Sequence, residues 1–164
     1  TTYKNIIENT KLLVLWGTAP LKNSEITRGG GGAHTTRGYF LGIRDAGIPT
    51  VVINPVATEE VGMLKADWIK PRPNTDTAMM LGMIHTLYTE GDYDKAFMAK
   101  YTVGFGKFEN YLLGKTDGQA KTAKWAAAIC GVDADTIRTL ARRMAATRTM
   151  IMGGPAMQRD DNGG

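Results

Sequence analysis

Short apolar runs alternate with a helical pattern over the first third of the chain. Apolar residues fill Lys11–Trp16 (KLLVLW), and a β-branched run fills Pro49–Ile53 (PTVVI). Runs of this length and composition are typical of strands buried in a parallel sheet. Between them, Arg37–Ala46 has helical spacing and Gly47 ends the pattern. The sequence therefore predicts a strand, a glycine-bearing loop, a helix and a second strand.

One more helix and one more short strand follow. Ala57–Leu64 is predicted to be helical and Trp68–Lys70 to be a third strand. A longer helix, capped by Asn74 or Thr75, is predicted to run to Thr89. Its apolar residues recur at helical spacing: Met79, Met83, Ile84, Leu87 and Tyr88.

The rest of the chain reads as mainly helical. Tyr93–Ala146 has several helical patterns, the last of them with Asp133 as its N-cap, and Thr149–Met152 (TMIM) is predicted to return to the sheet as a strand. The fold class predicted is α/β, a Rossmann-like three-layer domain with a short, mostly parallel sheet and a helical second half. We predict one domain over residues 1–164, with a βαβ nucleotide-binding half (1–92) and a helical half (93–164).

Composition narrows the classes of protein. The chain of 164 residues is 43% hydrophobic and 22% charged, which is typical of globular domains. Its net charge of +4 favours anionic partners, but the basic residues form no block and no nucleic-acid-binding motif is present. No apolar run approaches the roughly 18 residues of a membrane span, so we expect a soluble chain that binds neither nucleic acid nor membrane. The lone Cys130 predicts a buried thiol.

Four segments lie where a parallel sheet binds ligands, beyond the carboxyl ends of its strands or before a helix: GTAPLKN, NPVATEE, RPNTD and GGPAMQR. None contains G-x-G-x-x-G, and the run RGGGGAHTTRG lacks the Lys-Ser/Thr of a P-loop. Gly17 is either a simple turn residue or a point of close approach for a pyrophosphate. Asp76 either stabilises the helix dipole or recognises a base with adjacent N–H donors, such as guanine. His34 and His85 have no metal-ligating companions, so no metal site or catalytic residue is predicted.

Six segments of the chain together resemble the dimethyl sulfoxide / trimethylamine N-oxide reductase family of molybdopterin enzymes, in the order and spacing of that family. They are LLVLWGTAPLKNSEI, VVINPVATEE, WIKPRPNTDTAMMLGMIHTLYTEG, YDKAFMAKYTVGF, YLLGKTDGQAKTAKWAAAICGVDADTIRTLARRMAA and RTMIMGGPAMQR. The resemblance implies an α/β domain that binds one of two molybdopterin guanine dinucleotide (MGD) moieties. It also implies a periplasmic location, because relatives are commonly exported.

The resemblance assigns ten residues to cofactor binding. The loop after the first strand is expected to contact the phosphates, and the pair after the second strand is expected to contact the ribose. The segment at the start of the long helix is expected to contact guanine. The phosphate set is Trp16, Gly17, Thr18 and Pro20, the ribose pair is Asn54 and Pro55, and the guanine set is Pro73, Thr75 and Asp76; Arg159 completes the ten. Many members of the family have Asp in place of Asn54.

Two departures from the family lie on the side that would face the metal. Pro155 stands where the family generally has Trp, and GGGGAHTT replaces a stretch that usually contains Pro-Asp. We interpret the glycine run as a substituted or simplified loop and not as a phosphate cradle, with a natural flexible loop as the alternative, and we expect Gly29–Thr36 to be mobile. Two hypotheses follow. The chain is an MGD-binding domain of a bacterial S- or N-oxide reductase, with the rest of the reductase as its partner and no catalysis of its own. Alternatively, it is an engineered or excised scaffold with no ligand.

Overall fold

A parallel sheet of four strands organises the first part of the structure, a computed structural model that describes residues 2–23, 35–154 and 161. The strand order is β3-β2-β1-β4, and every neighbouring pair is parallel. The bounds are β1 Leu12–Trp16, β2 Thr50–Ile53, β3 Asp67–Ile69 and β4 Thr149–Gly153. In the register, Val14 of β1 lies beside Val51 of β2 and Ile151 of β4. The predicted α/β class and all four predicted strands are confirmed.

The chain forms two compact units, one from Thr1–Lys70 with Thr147–Gly164 and the other from Pro71–Ala146. The first unit contains the sheet and the helices α1 Tyr3–Asn9, α2 Pro20–Asn23, α3 Thr36–Asp45 and α4 Glu59–Leu64. The second contains α5 Asp76–Glu90, α6 Lys95–Tyr101, α7 Phe105–Leu112, α8 Ala123–Cys130 and α9 Ala134–Ala146. The single domain with halves 1–92 and 93–164 stays a prediction.

The core of the first unit forms where β1 and β2 pack against helices. Every residue of these two strands is buried, as expected for central parallel strands. Leu13, Leu15 and Val52 share an apolar cluster with residues of three helices: Ile6 of α1, Phe40 and Ile43 of α3, and Leu64 of α4. Helix α1 was not predicted, because Ile6 is its only buried residue and no apolar period marks it.

The second unit is built on α5, which packs against α8 and α9. Gly82 of α5 lies so close to α8 that a Cβ at this position would be 2.6 Å from the Cβ of Ala126. Met79 and Met83 of the apolar series are buried, whereas 39% of Ile84, which belongs to the same series, is exposed. The residues buried beside the two methionines are the small or polar Ala78, Gly82 and Thr86, together with Leu81.

Candidate functional site

The carboxyl end of β1 is fixed between the ends of its two neighbouring strands. The Gly17 N–H donates to the Ile53 carbonyl of β2 at 2.9 Å, and the Gly154 N–H after β4 donates to the Trp16 carbonyl at 3.0 Å. Gly17 has a positive φ of 58°, which side chains with a Cβ disfavour. A Cβ on Gly154 would lie 2.3 Å from the Gly17 carbonyl oxygen. Glycine at both positions allows the chain to make this turn without steric conflict.

The loop after Gly17 leads directly into α2. Thr18 and Pro20 are half-buried, and Pro20 is the first residue of the helix, a position that suits proline because its missing N–H would have no helical partner. The next N–H, that of Leu21, donates to Glu60 Oε1 at 2.7 Å. Glu60 is fully buried. Its burial could not be predicted from the sequence, because a glutamate in the first turn of a helix is ordinary and nothing local signals its burial.

Asn54 forms a tight turn directly after β2. Its Oδ1 accepts from the Val56 N–H at 3.1 Å, and its backbone N–H donates to the Ile69 carbonyl of β3 at 3.1 Å. Its carbonyl oxygen accepts from Trp68 Nε1 at 2.9 Å. Because Oδ1 serves the turn that contains Pro55, the group that Asn54 can offer to a ligand is its side-chain NH₂, which is a donor. An aspartate here could hold the same turn and still accept from a ligand with its second oxygen.

In the second unit, Pro73, Thr75 and Asp76 lie in and directly after the turn that begins α5. Asn74 has a positive φ of 64°, a conformation that asparagine tolerates better than most residues. Thr75 occupies the N-cap position as predicted, but its hydroxyl donates to the Arg72 carbonyl at 2.6 Å instead of capping the helix. Asp76 is the first residue of α5, and only 7% of it is exposed. This largely buried carboxylate is the most unusual feature of the turn.

Arg72 fastens the same turn to the end of α8. Its Nη1 donates to the carbonyl oxygens of Ala128 and Ile129 at 3.1 and 3.0 Å, and its backbone N–H donates to the Cys130 carbonyl at 2.8 Å. A guanidinium at the carboxyl end of a helix meets the negative end of the helix dipole and otherwise unpaired carbonyls. This role of Arg72 was not predicted, because no local pattern identifies a contact between residues more than fifty positions apart.

Among the residues that the structure describes, the cysteine is Cys130 and the histidine is His85. Burial raises the pKa of the Cys130 thiol, and the charge of Asp76 also raises it whereas that of Arg72 lowers it. The buried thiol was predicted and is confirmed. Burial lowers the pKa of His85, which keeps its imidazole neutral at pH 7. Across residues 2–23 and 35–154, no three Cys, His, Asp or Glu side chains converge in the way that a metal site requires.

Several predictions fall on residues outside the described ranges. These are the cofactor contact of Arg159, the interpretation of Pro155, the absence of a role for His34, and the greater part of the loop Gly29–Thr36. Of the remaining nine predicted contacts, the first unit brings Trp16, Gly17 and Asn54 to one edge of its sheet. The second unit contains the other three predicted contacts, Pro73, Thr75 and Asp76, in and directly after one turn.

The described helices were also compared with the length and hydropathy that a membrane span requires, and none of them meets both.

Comparison with known proteins gives matches that run along the whole chain. A family model described as molybdopterin oxidoreductase matches residues 1–164. A trimethylamine-N-oxide reductase of Haemophilus influenzae is 45% identical over 163 residues, which are 99% of this chain and 20% of that protein. A dimethyl sulfoxide/trimethylamine N-oxide reductase of Cereibacter sphaeroides is 44% identical over 166 residues, with the same shares. The chain thus spans about a fifth of the length of these curated relatives.

A solved structure has the same fold. Acetylene hydratase from Pelobacter acetylenicus superimposes with a TM-score of 0.70 at 24% identity. The match covers 96% of this chain and 20% of the hydratase chain. At this level of identity the likeness concerns the fold, which is the parallel sheet and helices described above.

Proposed function

Because the chain belongs to the molybdopterin oxidoreductase family, we propose that it is one MGD-binding domain of a bacterial S- or N-oxide reductase. The names of its relatives, at 45% and 44% identity, support the reductase class. The rest of the reductase is then its partner, since the chain spans about a fifth of those proteins. A periplasmic location belongs to the same proposal.

In the first unit, the residues after β1 fit a pyrophosphate. Trp16 ends β1, and Gly17, which has no side chain and a positive φ of 58°, begins the half-buried loop that contains Thr18 and Pro20. A phosphate can approach such a backbone closely and accept from its N–H groups. The loop is fixed by hydrogen bonds to its neighbouring strands before any ligand binds, so binding would cost little conformational entropy.

Asn54 and Pro55 fit the role of ribose contacts, but Asn54 would donate a hydrogen bond where an aspartate would accept one. The Asn54 oxygen is committed to the Val56 N–H, so its NH₂ would donate to a ribose hydroxyl oxygen. Ribose hydroxyls both donate and accept, and the contact is therefore compatible with either Asn or Asp at this position. An aspartate would instead accept a charge-assisted hydrogen bond from the ribose hydroxyl, and such a bond is stronger than one donated by the Asn54 NH₂.

The observation that carries the proposal is the burial of Asp76. A carboxylate that is 7% exposed, at the start of α5 beside Pro73 and Thr75, suits the recognition of a neutral base through paired N–H donors. Guanine presents N1–H and an exocyclic amine side by side, whereas adenine presents an unprotonated N1 next to its amine. The carboxylate can accept both guanine donors at once. Arg159 remains part of the proposed set by resemblance.

The chain's own part in the reaction is to bind and orient the cofactor. When bound, the molybdopterin cofactor supplies the metal and dithiolene chemistry of oxygen-atom transfer. We propose that the chain alone does not catalyse this reaction, because the metal would be held through two dinucleotides and the described residues provide contacts for one of them. Purified and given reduced dye, cofactor and trimethylamine N-oxide, it is expected to be inactive. Substrate-dependent dye oxidation that survives repurification would contradict this.

The experiment that tests the proposal compares GDP and ADP binding by calorimetry in two variants. Asp76→Ala is expected to lower the affinity for GDP by about 1–3 kcal/mol, because the guanine donors lose their acceptor. ADP binding should not change. Asp92→Ala removes an exposed carboxylate of the same unit and is expected to leave both affinities unaltered. An Asp76→Ala protein that still prefers GDP would refute the proposed guanine contact, and a chain that binds no nucleotide would favour the scaffold hypothesis.

A further inference from the structure

The buried carboxylate of Glu60 is a feature that the cofactor contacts above do not use. Glu60 lies in the first turn of α4, 0% exposed, and its Oε1 accepts from the Leu21 N–H at 2.7 Å. Its neighbour Glu59 is exposed and forms an ion pair with Arg37. Glu59 can favour the helix dipole of α4 without losing its hydration. Burial of a second acid in the same turn therefore needs another reason, because burying a carboxylate is costly.

The surroundings of Glu60 do not offset that cost. Within residues 2–23 and 35–154, Glu60 Oε2 has no hydrogen-bond partner, and neither has the buried hydroxyl of Thr58. No ion pair to Glu60 occurs among the salt bridges of the same residues. An incompletely satisfied buried acid contributes little to stability by itself. What it does provide is one short, directed bond to the backbone of α2.

That bond acts on the loop that precedes α2. Leu21 is the second residue of α2, so its N–H is one of those that a helix leaves unpaired at its start. By accepting from it, Glu60 fixes the end of the loop Gly17–Pro20. Gly17 fixes the other end through its bond to Ile53 at 2.9 Å. Both ends are therefore held by groups of the protein.

We propose that Glu60 is a positioning residue that pre-organises the loop Gly17–Pro20 for the diphosphate of a guanine nucleotide. This inference rests on the proposed function, in which that loop contacts the phosphates. Because Glu60 occupies the Leu21 N–H, this donor is not among those offered to the ligand. The diphosphate is thereby directed to the N–H groups of Thr18 and Ala19, because the Gly17 N–H already donates to the Ile53 carbonyl.

Three substitutions separate the position of the carboxylate oxygen from its charge. Glu60→Gln keeps an acceptor at the place of Oε1 but removes the charge. Glu60→Asp keeps the charge but withdraws the oxygen by one methylene, and Glu60→Leu removes both. Glu59→Gln is the matched control, since it neutralises the exposed neighbour. The measurements are the ratio of affinities for GDP and guanosine, and amide hydrogen exchange at Leu21 and Gly17 without ligand.

The positioning role predicts a specific pattern. Glu60→Asp and Glu60→Leu should reduce the GDP-to-guanosine ratio about tenfold, the scale expected when a buried donor loses its acceptor. In these two variants, amide hydrogen exchange should be faster at Leu21. It should also be faster at Gly17, because the loop between these residues is less well fixed. Glu60→Gln and Glu59→Gln should stay within about twofold of the unmodified protein in the ratio. The preference for GDP over ADP should persist in all four, because Asp76 is unchanged.

Two results would overturn the inference. One is an unchanged GDP-to-guanosine ratio in folded Glu60→Asp or Glu60→Leu, and the other is faster exchange confined to Leu21, which indicates a local cap only. If Glu60→Leu fails to fold, Glu60→Asp and Glu60→Gln still decide the question. If the unmodified chain binds no GDP, the proposed function fails, and the exchange of Gly17 in the ligand-free variants then decides whether Glu60 positions the loop.

Discussion

A Cβ on Gly154 would lie 2.3 Å from the carbonyl oxygen of Gly17, a distance at which atoms overlap. At these two glycines, the end of β4 packs closely against the loop after β1. We predict that Gly154→Ala forces the two segments apart and lowers the free energy of unfolding by about 1–3 kcal/mol. It should also weaken GDP binding, since the proposed phosphate loop moves. Urea denaturation and calorimetry measure the two effects.

Gly153→Ala is the matched control for that substitution, because no atom lies within 4 Å of a Cβ at Gly153. Its unfolding free energy should stay within about 0.5 kcal/mol of the unmodified protein. Equal stability of the two alanine variants would show that the close approach of Gly17 and Gly154 does not constrain the loop.

Two glycines in helices of the second unit should respond to alanine in opposite directions. Gly82→Ala places a Cβ 2.6 Å from the Cβ of Ala126 and is expected to destabilise the protein by about 1–3 kcal/mol. Gly106 of α7 has open space around its Cα, so Gly106→Ala should stabilise by up to about 1 kcal/mol through helix propensity. Thermal denaturation distinguishes them. A stabilising Gly82→Ala would contradict the tight packing of α5 on α8.

Arg72 is expected to hold the turn of Asp76 against α8. Arg72→Ala removes two hydrogen bonds to the carbonyls of Ala128 and Ile129. Because the side chain is exposed, we expect a loss of about 1 kcal/mol in unfolding free energy, below the usual range for charged donors. GDP affinity should fall as well, since the turn loses its anchor. Lys124→Ala removes an exposed charge from the same helix and should change neither property.

Cys130 provides a test of burial in the second unit. Burial raises the pKa of its thiol, so the reactive thiolate is scarce at pH 8 in the native protein. We predict that a maleimide or a disulfide reagent labels native Cys130 far more slowly than the urea-unfolded chain at the same pH. Labelling at the rate of a free cysteine in the native protein would contradict the observed packing.

The elements that the sequence predicted best are those whose composition alone determines them. The apolar runs around Val14 and Val51 have no alternative to burial in the sheet, and the structure places both strands there. Helix α1 has one buried residue, Ile6, which is too little for a periodic signal. For α5, spacing indicated a helix, but the contacts with α8 and α9 determine that Gly82 is buried and Ile84 exposed.

The residues of the candidate site also divide into those that the sequence could identify and those that it could not. Gly17, Asn54 and Asp76 could be selected because they follow strands or begin a helix, which are the places where α/β proteins bind ligands. Glu60 acts on the start of α2 from 39 positions away, and Arg72 joins the turn of Asp76 to a carbonyl of α8 that lies 56 positions further along the chain. Long-range contacts of this kind leave no local pattern. Only the folded structure identifies the residues that hold the proposed ligand contacts in place.

The most direct test of the account is the order of affinities of the unmodified chain for GDP, IDP and ADP, measured by calorimetry. IDP keeps the N1–H of guanine and lacks its exocyclic amine, so it can donate one hydrogen bond to Asp76 where GDP donates two. If Asp76 recognises guanine, GDP binds most tightly, IDP is intermediate and ADP is weakest. Each lost bond should cost about a factor of ten. Equal affinities for the three nucleotides would contradict the assignment of this chain as a guanine dinucleotide-binding domain.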